Sequence, residues 1–258
     1  MYPVACIQFQ PAWKDLQVNL EAILQWTDRA GEVRAVFFPE LATTGYLFQS
    51  REEALLLSLT PDDPRLDPLR RTAERSGKMI TFGTPIREGD HLYNSALILH
   101  PDGSVRSYHK VHLFDREKNV FDPGPDAPGL IELDDLKVGV LICFDWAFPE
   151  IWRSLAMQGA DLVVCPSNLV LPGKGQKGVI GHALYNRIYV VLPNRYGVED
   201  DLRFTGGSLI VGPDGEILCE APGVGDRILR SWIDPALARN KQVTSRNHLF
   251  KDRRPGFY

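Results

Sequence analysis

The triplet Pro-Asp-Gly occurs twice, at 101–103 and 213–215, each time between short apolar runs. Asp-Gly in that setting is a strong β-hairpin signal, because the tight turn needs residues that tolerate positive φ. The runs 93–100 and 104–108 flank the first turn, and 208–211 and 217–220 flank the second, so antiparallel pairing is written into the chain at two places. The runs 4–9, 33–38, 79–84, 136–142, 162–165, 189–192 and 228–233 also read as strands, and helical spacing separates several of them. Leu16, Leu20, Ile23, Leu24 and Thr27 share one helical face, and Leu66, Leu69 and Ala73 mark a second helix over 64–76 that Gly77 stops. Ile151, Trp152, Leu155 and Ala156 mark a third, and a fourth over 175–187 turns Val179, Ile180, Ala183 and Leu184 inward. This pattern predicts an α/β fold with a mixed sheet, or two packed sheets, covered by helices; the strand order stays open.

A chain of 258 residues can bury one substantial core, and no repeat or linker divides it. A single domain over 1–258 is expected, with a polar, basic tail over about 240–258 docking on the domain or on a partner subunit. The net charge is −4, with 29 basic and 33 acidic side chains interspersed, so there is no basic field to hold nucleic acid. No apolar run approaches the ~20 residues of a bilayer span, and no basic-then-apolar leader opens the chain, which predicts no membrane partner and a cytoplasmic location. Cys6, Cys143, Cys165 and Cys219 lack both C-x-x-C spacing and the density of a disulfide framework, so they read as reduced thiols. No cofactor is called for.

The apolar run 136–142 ends on Cys143, and Pro149-Glu150 behind it favour a first helical turn. A thiol close to a helix N-terminus is shifted toward the reactive thiolate, whereas a cysteine ending an apolar strand also serves as inert packing. Two further residues sit at comparable places: Glu40 behind a strand and a proline, and Lys110 behind a hairpin strand. Alone, each also reads as a surface side chain. Together they supply a complete set for attack on a carbonyl or nitrile carbon. A buried carboxylate takes the thiol proton and returns it to the leaving amine. A fixed ammonium, helped by the Phe144 N–H, stabilises the oxyanion.

These segments resemble the nitrilase, or carbon-nitrogen hydrolase, superfamily. The resemblance rests on Phe37-Phe38-Pro39-Glu40 with Thr44-Gly45-Tyr46, on Tyr108-His109-Lys110-Val111-His112-Leu113, and on Cys143-Phe144-Asp145 with Phe148-Pro149-Glu150. It continues through Pro166-Ser167-Asn168, Asn194-Arg195 and Gly206-Gly207-Ser208. It implies a four-layer α-β-β-α sandwich with mixed sheets that dimerises through its helices. It further implies Glu40 as general base, Lys110 as oxyanion stabiliser and Cys143 as the nucleophile that carries a thioester. Glu117, ahead of Phe121-Asp122-Pro123-Gly124, matches a second glutamate that positions substrate and lysine in related amidases; read alone, it is equally an exposed loop carboxylate. Phe144-Asp145 resembles the amidase and carbamoyl-amide branches, whereas nitrilases proper tend to carry Trp-Glu. His182 and Tyr185 depart from the pattern, since many members have an arginine and a glutamate there.

The expected activity is hydrolysis of a small amide to ammonia and a carboxylic acid, with N-carbamoyl compounds and nitriles as alternatives and Tyr46, Phe144, Trp146 and Asn168 around the substrate. Two other readings belong to different classes. Gly173-Lys174-Gly175-Gln176-Lys177-Gly178 matches a dinucleotide-binding fingerprint, but its first glycine stands too far behind the preceding strand. A silent interaction protein has no use for the full triad. Lys174 and Lys177 are expected to border the pocket and favour a substrate carboxylate. His109 and His112, three apart in an extended segment, point to opposite faces and read as structural rather than metal-binding.

Overall fold

The computed structural model describes residues 1–257, so Tyr258 at the end of the predicted tail lies outside it. The first half opens with β1 (Tyr2–Gln8), α1 (Leu16–Arg29) and β2 (Ala35–Phe37). The Asp15 side chain accepts from Val18 N and caps α1. A short α2 (Arg51–Leu56), too brief to show a period, is followed by α3 (Asp67–Ser76), which stops at Gly77 with φ 63° as its sequence predicts. Next come β3 (Met79–Glu88), β4 (His91–Leu99) and β5 (Val105–His109). Strand β3 outruns its predicted end because Glu88 pairs with His91 across a tight turn at Gly89-Asp90.

The second half contains β6 (Leu130–Leu133), β7 (Leu136–Val140), α4 (Pro149–Gln158), β8 (Leu162–Val164), α5 (Lys174–Asn186) and β9 (Tyr189–Leu192). A separate hairpin, β10 (Tyr196–Glu199) with β11 (Leu202–Thr205), precedes β12 (Leu209–Val211), β13 (Ile217–Glu220), β14 (Arg227–Ile233) and α6 (Pro235–Arg239).

The strands form two six-stranded sheets, in the orders β14-β1-β2-β3-β4-β5 and β6-β7-β8-β9-β12-β13. Each has three parallel strands, β1-β2-β3 or β7-β8-β9, then two antiparallel ones, with an antiparallel strand closing the opposite edge. The two halves thus share one topology although no repeat is visible in the sequence.

Strand period sorts the side chains into layers. Ala5 and Ile7 of β1 pack with Val36, Phe82, Leu20, Ile23 and Leu69, the layer of α1 and α3. Val4 and Cys6, alternating with them, join Phe37, Val138, Val140 and Val164 between the sheets. Trp152 and Leu155 of α4 and Val179 and Ala183 of α5 cover the far face. The result is the expected α-β-β-α sandwich. One detail differs: Leu184 is 46% exposed and Ile180 only partly covered. The buried face of α5 runs through Val179, His182, Ala183 and Asn186, and one further residue rotates Leu184 out of it.

Arg239, the last residue of α6, reaches Asp135 and Asp161, and beyond it Lys241 Nζ donates to Asn186 O and Arg187 O at the end of α5. Among the described residues no helix is long and apolar enough to cross a membrane.

Candidate active site

Glu40 lies on the turn that leaves β2, and its backbone path is tightly constrained. Leu41 takes φ 45°, and Gly83 N donates to Pro39 O at 2.9 Å. A Cβ on Gly83 would stand 2.2 Å from Leu41 N, so only glycine lets β3 approach the turn this closely. Lys110 directly follows β5, and both side chains are fully buried. The Lys110 Nζ donates to Glu40 Oε1 at 2.7 Å and to Glu117 Oε1 at 2.8 Å. Glu117 is 5% exposed on a 3-10 helix (Asp115–Asn119) that is entered through Asp115 at φ 44°, so it is not a surface loop carboxylate. Asn94 Nδ2 adds a second donor to Glu40 Oε1 at 2.8 Å, whereas Glu40 Oε2 is buried and accepts from no side chain or backbone group among the described residues.

Burial pushes the Glu40 carboxyl above the ordinary range; the Lys110 charge works against this and the Glu117 charge adds to it. Burial disfavours the Lys110 ammonium, but Glu117 and Glu40 together outweigh it and hold the lysine charged. An ammonium has three protons, and two are engaged by these carboxylates.

Cys143 follows β7 by three residues and opens a 3-10 helix (Cys143–Ala147); α4 begins only at Pro149. The expected helix N-terminus at the sulfur is therefore this short turn. Cys143 itself takes φ 42°, a left-handed conformation that costs a non-glycine residue energy and is found where a side chain must be held in one direction. Its N–H donates to Pro166 O at 2.9 Å, anchoring the turn to the loop after β8. The resting thiol is not an activated thiolate: burial, then the Glu40 charge, raise its pKa well above the usual value, with Lys110 and the Asn168 N–H pulling the other way. The sulfur thus needs a base to take its proton. Burial also raises the pKa of Cys6, Cys165 and Cys219.

Asp145, two residues after the cysteine and fully buried, ties the sites together. Its Oδ2 accepts from Tyr108 Oη and Ile142 N, both at 2.8 Å, and its Oδ1 lies 2.7 Å from His112 Nδ1. Nothing in the strand pattern announces this link, since it crosses between the two sheets. His109 is engaged elsewhere, with Nδ1 2.7 Å from Ser95 Oγ and its ring stacked on Tyr93. Among the described residues no group of three or more His, Cys, Asp or Glu side chains is placed to hold a metal.

Phe144, Trp146, Asn168 and Leu169 line a small pocket with Cys143, together with Phe114, Val170 and Leu171, which the sequence does not single out. Its free volume is about 20 Å³. A neighbouring space of about 90 Å³ shares Phe114 and Val170 and reaches Tyr46, Arg116, Asp201 and Leu202. Tyr46 donates its hydroxyl to Glu117 Oε1 at 2.8 Å, so this side chain is committed to the carboxylate. Lys174 and Lys177 are exposed and line neither space, which removes the expected cationic border. The glycines around them serve packing: a Cβ at Gly175 would meet Leu169 at 2.6 Å, and one at Gly178 would meet Trp146 at 2.6 Å. His182 supports the same wall, with Nε2 2.8 Å from Trp146 O and its ring stacked on Trp152.

The sequence profile of the family described as carbon-nitrogen hydrolase matches residues 3–241. The chain belongs to this family. A protein named nitrilase from Pyrococcus abyssi is 39% identical over 100% of this chain and 99% of its own length. The 2-oxoglutaramate amidase of Bacillus subtilis is 29% identical over 100% of this chain and 99% of its own. Among solved structures, an amidase from Nesterenkonia sp. AN1, described as carrying acrylamide added at its active-site cysteine, has a TM-score of 0.82 at 29% identity. That match covers 100% of this chain and 98% of the other. This carbon-nitrogen hydrolase is accordingly an amidase-like member of the nitrilase superfamily, and the nucleotide-binding and non-enzymatic readings are set aside.

Proposed function

We propose that the enzyme hydrolyses a small, uncharged amide through a thioester on Cys143. The observation that carries this reading is the pair of unused groups in one buried cluster: among the described residues Glu40 Oε2 has no partner, and one Lys110 proton is not engaged by Glu40 or Glu117. As Cys143 Sγ attacks the amide carbon, its proton passes to Glu40 Oε2, which answers the raised thiol pKa. The new oxyanion accepts the free Lys110 proton and a backbone N–H, from Phe144 or from Asn168, whose N–H already faces the sulfur. Collapse breaks the C–N bond, Glu40 returns the proton to nitrogen, and ammonia leaves a thioester. A water then attacks the thioester carbon, giving its proton to Glu40; the carboxylic acid departs and Cys143 regains a proton. Glu117 holds Lys110 in place throughout.

The substrate class follows from the walls. The narrow space among Phe114, Phe144, Trp146 and Leu169 suits a short apolar acyl group, with the rest of the molecule toward the larger space near Tyr46. Arg116 at the larger space is accompanied by Asp115 and Asp201, so its lining carries no net positive charge to select a carboxylate, and Lys174 and Lys177 line neither space. We further propose one domain over 1–258, with the tail docked at the end of α5, and pairing of two copies through α4 and α5, where Met157, Leu184 and Tyr185 are exposed. Sedimentation tests the pairing.

The central test is intact-mass detection of an adduct with an electrophilic amide analogue, alongside ammonia release from amides, N-carbamoyl amines and nitriles. An adduct lost in Cys143→Ala, with ammonia but no carbon dioxide, supports the amidase reading. Preferential turnover of nitriles or carbamoyl compounds overturns the substrate class.

A further inference from the structure

The hairpin β10–β11 belongs to neither sheet, yet it holds a buried ion pair that a peripheral hairpin does not need. Arg195, immediately before β10, and Glu199, its last residue, are 0% and 2% exposed and pair through Nη1 and Oε1. Keeping two charges out of water is costly unless their remaining atoms are used. Glu199 Oε2 is used on the catalytic side of the molecule: it accepts from Tyr46 N at 2.9 Å and from Leu47 N at 2.8 Å. Gly45, at φ 81°, makes the approach possible, because a Cβ there would lie 2.5 Å from Glu199 Oε1. Phe204 of β11 then binds the two ends together. The Arg195 guanidinium lies 4.1 Å from its ring centroid, and Tyr46 meets the same ring edge-on at 5.8 Å. From Tyr46 the path continues through its hydroxyl to Glu117 and from Glu117 to Lys110 Nζ, each link 2.8 Å.

We infer that Arg195 and Glu199 are positioning residues that set Lys110 through Tyr46 and Glu117, although neither touches the reacting atoms. This rests on the role proposed above for Lys110. The pair fixes the backbone of residues 45–47, that backbone fixes where the Tyr46 hydroxyl can reach, and the hydroxyl fixes one oxygen of Glu117. Slackening the pair lets Lys110 drift from the oxyanion position, a displacement on the scale that costs orders of magnitude in rate while substrate binding persists. Drift of Lys110 also removes its lowering influence on Glu40, which exceeds the raising influence of Glu117. The ascending limb of the pH profile therefore moves to higher pH.

The test uses E199Q and Y46F, with active sites counted by an electrophilic titrant. The expected result for both is a kcat reduced roughly 10–100-fold, a KM changed by less than about twofold, and the ascending limb displaced upward. The double variant should lose no more than the worse single one, since both cut one chain. Wild-type kcat per titrated site and an unmoved limb in E199Q, even with a lower Tm, overturn the inference. If E199Q does not fold, Y46F decides alone, because it leaves the ion pair intact; wild-type kcat and limb in Y46F overturn it equally. Loss of turnover in Glu40, Lys110 and Cys143 variants with none in E199Q or Y46F rejects this positioning chain only. Retained turnover in the triad variants rejects the underlying mechanism.

Discussion

The Asp145 carboxylate accepts the Tyr108 hydroxyl at 2.8 Å, so the residue two places after Cys143 holds a residue two places before Lys110. His112, two places after that lysine, meets the other oxygen of the same carboxylate. The lysine segment and the cysteine turn are thus fixed to one another by a single buried side chain from the second half of the chain.

Asp145→Asn keeps the shape but removes an acceptor, stranding a donor from Tyr108, His112 or Ile142. One unsatisfied buried donor costs about 1–3 kcal/mol. The variant is expected to melt at lower temperature and to lose at least about tenfold in kcat/KM, both read from thermal unfolding and amide turnover on the same preparation. Wild-type activity in a folded Asp145→Asn would break the proposed coupling between the two segments.

The pH dependence follows from Glu40. Burial raises its pKa, and it accepts a proton only when ionised, so kcat/KM should climb with pH along a limb centred above the ordinary carboxylate range. The stability effect has the opposite sign: a carboxyl whose folded pKa is raised contributes stability that is lost as pH climbs from the unfolded toward the folded value. Glu40→Gln should abolish the limb and nearly all turnover. A rate profile in wild type that rises only with an ordinary thiol pKa would contradict the Glu40 assignment.

Lys110→Met leaves Glu40 and Glu117 facing one another without a cation. Removing one member of a buried ion cluster costs on the order of 3–5 kcal/mol, eased here as one carboxyl takes up a proton. We expect a depressed unfolding midpoint in urea that recovers partly as pH is lowered. A midpoint that is insensitive to pH would argue against the shared cluster.

Asn168 is 2% exposed, lines the pocket of Cys143, and leaves both amide atoms of its side chain without a protein partner among the described residues. Such atoms are costly unless substrate or water meets them. Asn168→Leu should discriminate between substrates, raising KM for amides with a polar group near the acyl carbon while sparing purely aliphatic ones. A uniform effect across a panel of amides would place Asn168 outside substrate recognition.

The sequence by itself determined which residues are available and where along the chain they fall. Periodicity located the main strands and helices, Asp-Gly located two hairpins, Glu40, Lys110 and Cys143 stood in recognisable motifs just behind strands, and Glu117 stood ahead of a further motif. These are local properties, carried by neighbours a few residues away. What only the tertiary structure decided is which side chains meet across the sandwich. Asn94 lies inside an ordinary strand, and its bond to Glu40 depends on the packing of β4 beside the turn after β2. Tyr46 stood in a recognisable motif, but its commitment to Glu117 depends on a hairpin more than a hundred and fifty residues away in sequence, anchored by Glu199. The upward shift of the thiol pKa and the outward placement of Lys174 and Lys177 likewise depend on what the fold buries. A local period shows which face is apolar, but solvation and charge pairing depend on what the rest of the chain lays against that face.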